Sequence, residues 1–290
     1  MKHAILVASH NQFEILMSTM SILDDENIDF YIHIDKKSKN VPFEELNGVC
    51  KKSSVYFIPR FSVNWGGFSL VECPIELLRA ATKNDYDYYH YISGVDHPIK
   101  TKQYFLNFFE TRDRNIEYIH FEQEVAKRKY VERLMYHSFF QDTGNKYLQF
   151  LDKLIRHFEK FIHYSRIDEK KYIFQYGSNW FSITHNFAKY VLSKEQWVRS
   201  VFKNAFAGDE LLVQTLIVNS DFRKNLPPNA FNNDYRTCLR CVDWKRGHPY
   251  IFRKEDFNYL VESECLFARK FDLNVDAAII ELLANYCKQD

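Results

Sequence analysis

Ala4-Ile5-Leu6-Val7-Ala8-Ser9-His10 and Tyr88-Tyr89-His90-Tyr91-Ile92-Ser93-Gly94-Val95-Asp96-His97-Pro98 decide the fold. Each is a short apolar or β-rich run that stops at a polar end able to meet a ligand. Between them lie a helical pattern over 13–23, a β-rich run over 29–34 that stops at Asp35, a third run over 54–58 and a helical pattern over 72–83. Strands that alternate with helices predict parallel βαβ units around a central sheet. Ligands of such sheets sit beyond the carboxyl ends of the strands. Ser9, His10, Asp35, the loop Trp65-Gly66-Gly67, Asp96 and His97 are therefore the first residues to inspect. Further along come a segment over 177–183, predicted helices over 186–192 and 210–218, and helices over 254–263 and 276–287. With no repeat and no linker, one α/β domain over 1–290 is expected.

Composition excludes several classes. The chain has 290 residues, with 39 Lys+Arg against 38 Asp+Glu and a formal net charge of +1. That balance argues against a general nucleic-acid binder, which needs a basic excess to release phosphate counterions. Charged residues at 27% and hydrophobic residues at 46% exclude wholesale disorder. No run reaches the roughly 18 apolar residues of a membrane span, and the N-terminal apolar run is shorter than a secretory core of about 7–15. Six cysteines in a chain of this length are read as reduced thiols. Cys238 and Cys241 form a lone pair with no second pair to complete a metal site.

One segment stands apart. Over 146–164 the apolar residues 147, 148, 151, 154, 155, 158, 161 and 162 share one helical face. Lys146, Lys153, Arg156, Lys160 and Arg166 outnumber Asp152 and Glu159. The basic helical segment at about 125–171 has two readings. It packs its apolar face on the core with a solvated outer face, which is the ordinary case, or it lies on an anionic membrane surface.

Three groups carry candidate chemistry. Asp209-Glu210 opens an apolar helical run. Acids there suit the helix dipole and free N–H groups, and Glu210 is also placed to act as a general base on a substrate hydroxyl. Lys245-Arg246 and the stretch 266–272 are cationic clusters. Lys270, flanked by Phe267 and Phe271, reads as a partly buried cation whose partner is Asp272 or a ligand phosphate. Asp85-Tyr86-Asp87 is the literal Asp-x-Asp of many metal-dependent sugar transferases, but it precedes its strand and is read as solvated loop. No phosphate-cradling glycine loop, zinc spacing or nucleophile elbow is present.

Taken in order, Ala8-Ser9-His10, Ile32-His33-Ile34-Asp35-Lys36-Lys37-Ser38, the stretch from Val63 to Glu72 around Trp65-Gly66-Gly67, the stretch from Tyr91 to Lys100, Gly177-Ser178-Asn179-Trp180-Phe181, Asp209-Glu210 and Leu266-Phe267-Ala268-Arg269-Lys270-Phe271-Asp272 resemble the core-2/I-branching β-1,6-N-acetylglucosaminyltransferases. This glycosyltransferase family 14 includes protein xylosyltransferases. The resemblance covers about nine-tenths of the chain and is weakest from about 125 to 171. It implies a Rossmann-like nucleotide-sugar transferase fold of the GT-A type, with a mostly parallel sheet and added helices. It implies an inverting reaction with no metal cofactor, in which a UDP-sugar donates to a glycan or lipid-linked saccharide acceptor. Glu210 takes the place of the family's base. Lys270, with Arg246 or Lys245, takes that of the donor-diphosphate cations. Ser9, His10 and Asp35 would hold the nucleotide, and Trp65, Gly66, Asp96, Trp180 and Asp209 the sugars. GlcNAc is the first expected donor sugar, with xylose or another sugar as the alternative and a non-catalytic sugar-binding module as the rival of another class. Eukaryotic members carry a membrane anchor. This chain starts directly with the fold, so the expectation is a bacterial cytoplasmic member in surface-polysaccharide synthesis, with peripheral contact at the inner membrane face.

Overall fold

A computed structural model describes residues 1–289. Asp290, the last residue of the expected domain, lies outside the described residues. The strands are β1 (His3–Ser9), β2 (Ile28–Ile34), β3 (Val55–Phe57), β4 (Tyr88–Ser93), β5 (His97–Pro98), β6 (Tyr118–Ile119), β7 (Phe181–Thr184), β8 (Arg240–Val242) and β9 (Phe267–Arg269). The main sheet has the order β3-β2-β1-β4-β7-β6. Its first four strands are parallel, with Ser9 in register with Ile34 and Ala8 with Ser93. β7 runs antiparallel to β4 and β6 antiparallel to β7. The mostly parallel α/β architecture is as the alternation predicts, and the 3-2-1-4 order is the one with which doubly wound sheets of order 3-2-1-4-5-6 begin. The antiparallel edge and a small second sheet, β5-β9-β8, were not readable, because strands of two to four residues carry too little of a period to detect.

β1, β2 and β4 are buried along nearly their whole length, as parallel strands covered on both faces must be. Helices Ser69–Ala81, His185–Ser193 and Leu212–Val218 cover one face. Helices Phe13–Ile22 and Lys102–Glu110 cover the other. Arg240 fastens the small sheet to the large one. Its fully buried guanidinium donates to the carbonyls of Tyr91 and Phe181 at 2.9 Å each and of Cys238 at 2.7 Å. A buried charge is tolerated when hydrogen-bonded in this way. The bolt holds β9, and the residues after it, at the carboxyl edge of β4.

The segment over 128–161 departs from the ordinary reading. Helix Lys146–Phe161 does form, but its one buried residue is Asp152. Tyr147, Phe150, Leu151, Leu154, Phe158 and Phe161 are exposed, Tyr147 and Phe161 to more than four-fifths. Polar anchors turn the helix this way. The Asp152 carboxylate accepts from the N–H groups of Phe139 and Phe140 and from Gln141, and Glu159 accepts from His137.

Candidate active site

The carboxyl edge of the main sheet gathers residues from distant parts of the chain. Ser9 and His10 end β1, and Asp35 follows β2. Asp35 accepts from the Lys37 N–H at 2.8 Å and pairs with the Lys37 ammonium at 3.5 Å. Ser9 is buried, and its hydroxyl has no hydrogen-bond partner. Asp96, just past β4, is buried and accepts from the Ser93 N–H at 3.0 Å and the Ser93 hydroxyl at 2.6 Å.

Because β9 pairs with β5, the chain after Ala268 returns to this edge. The Phe271 N–H donates to the Val95 carbonyl at 3.1 Å. The Arg269 guanidinium lies 3.4 Å from Asp96 and 4.2 Å over the Trp180 ring. It is 17% exposed and makes no hydrogen bond among the described residues, and its Nε is buried. Lys270 is half-buried beside it. The Lys270 charge is near enough to help hold His10 below the ordinary histidine value, where burial is the largest cause and Asp35 opposes. Asp272 is turned to Asn274 rather than to Lys270. Arg269 thus pairs with Asp96 through one nitrogen, and Lys270 makes no ion pair among the described residues.

Glu210 comes to the same edge from the other side. It lies in a 3-10 turn, Asp209–Leu211, that leads into the buried helix Leu212–Val218. Its carbonyl accepts from the Gly177 N–H at 2.9 Å, so the turn is tied to the segment entering β7. One carboxylate oxygen is clamped by Arg133 at 2.7 Å and by the Tyr176 hydroxyl at 3.1 Å. The side chain remains about one-third exposed, at 32%. Asp209 points inward instead, with Asn179 donating to it at 3.2 Å. Burial first, and then the adjacent Glu210 charge, push the Asp209 carboxyl up to about 7. Tyr235 stacks on His120 at 3.9 Å. Its phenol is held above its ordinary value by burial first, then by Cys238 and Glu210, with Arg269 opposing.

The Trp65 loop forms the outer rim. Trp65 is 74% exposed and meets Phe206 edge-on at 5.3 Å. The Gly66 carbonyl accepts from the Ala207 N–H at 2.8 Å, three residues from Glu210. Gly66 sits at φ 81, and a Cβ there would come within 2.9 Å of Phe206, so glycine suits the position twice over.

The structure thus brings Glu210, Asp209, Ser9, His10, Asp35, Trp65, Gly66, Asp96, Trp180 and Lys270 to one edge. Other expected residues stand differently. Arg246 is held by Asp243 at 2.6 Å and Asp256 at 2.7 Å and stacks over Tyr250, so its charge is already matched. Lys245 is exposed on the same loop. Trp180 is nearly buried, with Tyr91 at 5.0 Å and Arg269 over its face. Asp85 and Asp87 are exposed, as expected, at the amino end of β4 and away from this edge. Cys238 and Cys241 are buried free thiols. Among the described residues, no group of three or more His, Cys, Asp or Glu is placed to hold a metal ion.

The sequence reading passed over Arg269, Arg133, Tyr176 and Tyr235. Arg269 was within reach, since it adjoins Lys270 at the end of a strand. Arg133 pairs with a carboxylate 77 positions away from the stretch of weakest resemblance, and no local pattern signals that.

A mostly parallel α/β sheet with two neighbouring cations, a clamped carboxylate and an unpartnered hydroxyl gathered at its carboxyl edge defines a class, α/β proteins whose candidate site lies beyond the strand ends. The particular family follows from sequence. The profile described as "Core-2/I-Branching enzyme" matches residues 4–260, and the chain belongs to that family. It is 25% identical over 277 residues to xylosyltransferase 2 of Rattus norvegicus, covering 88% of this chain and 30% of that protein. It is 27% identical to xylosyltransferase sqv-6 of Caenorhabditis elegans, covering 87% and 32%. To β-glucuronosyltransferase GlcAT14A of Arabidopsis thaliana it is 24% identical, covering 88% and 58%. The chain therefore spans about a third of the length of the xylosyltransferases it matches. Among solved structures, mouse xyloside xylosyltransferase 1 aligns over 92% of this chain and 96% of its own, at 12% identity and a TM-score of 0.39. That superposition is too loose to add to the assignment.

Proposed function

We propose that the chain transfers a sugar from a UDP-sugar to a hydroxyl of a glycan or lipid-linked saccharide acceptor, inverting the anomeric centre without a divalent metal. Glu210 accepts the proton of the attacking hydroxyl through its one-third-exposed carboxylate. The hydroxyl oxygen bonds to the anomeric carbon as the bond to the diphosphate oxygen breaks. The electron pair of that bond leaves with UDP, whose new charge falls on Arg269 and Lys270. Fixed cations aimed at developing charge stabilise a transition state without reorganising. Arg133 and Tyr176 hold the base in one orientation, which supplies the positioning component. Ser9, His10 and Asp35 would meet the nucleotide, and Trp65 is the aromatic surface open to a sugar face.

The observation that carries this reading is a clamped acid and two neighbouring cations, Arg269 and Lys270, on the same strand edge. The same arrangement favours an enzyme over a sugar-binding module, which needs no oriented base. GlcNAc in β-1,6 linkage is the family's commonest transfer and the first donor to try. Xylose is the second, and the names of the relatives favour it. Glu210→Gln should lower kcat by at least about a hundredfold, in line with loss of a general base, while UDP affinity by calorimetry stays within about twofold. Transfer that survives near the wild-type rate removes Glu210 from this role. Activity should also persist in excess EDTA. Dependence on an added divalent ion would refute the metal-free step.

A further inference from the structure

The exposed face of helix Lys146–Phe161 is not explained by the transfer reading. Tyr147, Phe150, Leu151, Leu154, Phe158 and Phe161 form one uninterrupted apolar stripe in solvent. A helix of 16 residues presents about 24 Å of such surface. Neither carboxylate of the helix reaches that surface, since Asp152 and Glu159 are turned inward to partners. By helical geometry Lys146, Lys153, His157 and Lys160 lie together along one edge of the stripe.

A second observation adjoins the first. On that cationic edge, between this helix and helix Arg128–Met135, lies a cavity of about 330 Å³. Lys129, Arg133, Arg156, His157 and Lys160 line it, with Glu132 as the one lining carboxylate. Glu132 pairs with Lys160 at 2.8 Å and Arg133 with Glu210 at 2.7 Å, so Lys129 and Arg156 are the lining cations with no ion pair among the described residues. An apolar stripe edged by cations, with a cationic recess at the same level, complements a surface that is greasy within and anionic at its rim.

We propose that this face docks the molecule on an anionic lipid bilayer, with the stripe immersed at the level of the acyl chains and a headgroup phosphate in the cavity. The helix lies on the bilayer rather than crossing it, as interfacial amphipathic helices do. No described helix is long and apolar enough to cross a membrane. A second copy of the chain fits less well. Antiparallel pairing through the stripe would set the lysine edge of one helix against that of the other. Arg133 is shared between the cavity and Glu210, so docking would bring the base close to the lipid surface, where a lipid-linked acceptor would be held.

The test uses the full chain and vesicles of equimolar phosphatidylglycerol and phosphatidylcholine, with pure phosphatidylcholine as control, read by co-sedimentation. The chain should bind the anionic vesicles, bind the neutral ones far less, and lose affinity as ionic strength rises. Leu154→Glu with Phe158→Glu should abolish binding while the melting temperature holds, because both side chains are exposed. Lys129→Ala with Lys153→Ala should weaken binding to anionic vesicles by roughly tenfold. Three results overturn the proposal. The folded wild type stays in the supernatant with anionic vesicles, or the Glu variant binds as tightly as the wild type. The third is a dimer in equilibrium sedimentation that the Glu variant dissociates, which assigns the face to a second copy. Glu210→Gln, which removes the carboxylate paired with Arg133, should bind anionic vesicles at least as tightly as the wild type while losing transfer, so this inference and the catalytic one fail separately.

Discussion

Arg269 and Lys270 are adjacent in sequence but differ in support. Arg269 is set by Trp180 beneath it and Asp96 beside it, whereas the Lys270 ammonium has no such ion pair or ring contact among the described residues. A guanidinium on an aromatic face keeps its planar donors oriented, which an ammonium on a flexible stem does not. Lys270→Ala should therefore lower kcat/KM by about a hundred- to a thousandfold, the loss typical of one preorganised donor to developing charge. Arg269→Lys should behave almost as badly as Arg269→Ala, because the stacked geometry is lost. Steady-state kinetics with the accepted UDP-sugar check both. An Arg269→Lys enzyme with full activity would show that charge alone suffices at this position.

The turn carrying Glu210 depends on the segment before β7. The Gly177 N–H holds the Glu210 carbonyl, and a Cβ on Gly177 would overlap the backbone oxygen of His120. Neither backbone can retreat cheaply, since both are tied into the sheet edge. Gly177→Ala should cost about 1–3 kcal/mol by overpacking, lower the melting temperature by several degrees, and reduce kcat while KM for the donor holds. Calorimetry beside kinetics reads both effects, and an Ala variant with wild-type Tm would show that the edge is looser than its contacts imply. Helix Lys146–Phe161 makes a different point. Its 3.6-residue period was plain in the sequence and the helix formed where expected. Periodicity finds an apolar face, however, and does not say which way it turns. Asp152 and Glu159, satisfied by groups near residues 137–141, turned it outward.

The folded molecule keeps several imidazoles uncharged. Burial holds His3 at about 3 and His33, His97 and His120 at about 4, and it also holds His90 well below its ordinary value. His3 and His90 share a contact of 3.1 Å, and His90 meets Ser182 at 2.8 Å, across the middle of the main sheet. The unfolded chain protonates these groups near their ordinary value of about 6.5, so the unfolded state binds more protons below that pH and stability falls. Glu117 and Asp209 act oppositely. Burial raises both to about 7, and their contribution grows as pH falls from there toward the ordinary carboxyl range. Five imidazoles outweigh two carboxyls, so the melting temperature should drop steeply between about pH 6.5 and pH 4. Scanning calorimetry across that range checks it, and a flat or rising Tm would show the imidazoles to be charged in the folded state.

The parallel core, the strand ends with Ser9, His10, Asp35 and Asp96, the acid at 210 and the cation at 270 follow from local pattern or from ordered motifs. They were legible because a buried parallel strand must be a continuous apolar run that stops abruptly, and because each motif is contiguous in the chain. Tertiary structure alone decided that Arg133 and Tyr176 clamp Glu210, that Arg269 rests on Trp180, that Arg246 is matched by Asp243 and Asp256, and that the long amphipathic helix faces outward. Each of these is a pairing between segments far apart in the chain. Which charge finds which partner depends on where the folded backbone places them, and burial and distance in the fold set the strength of every such pair.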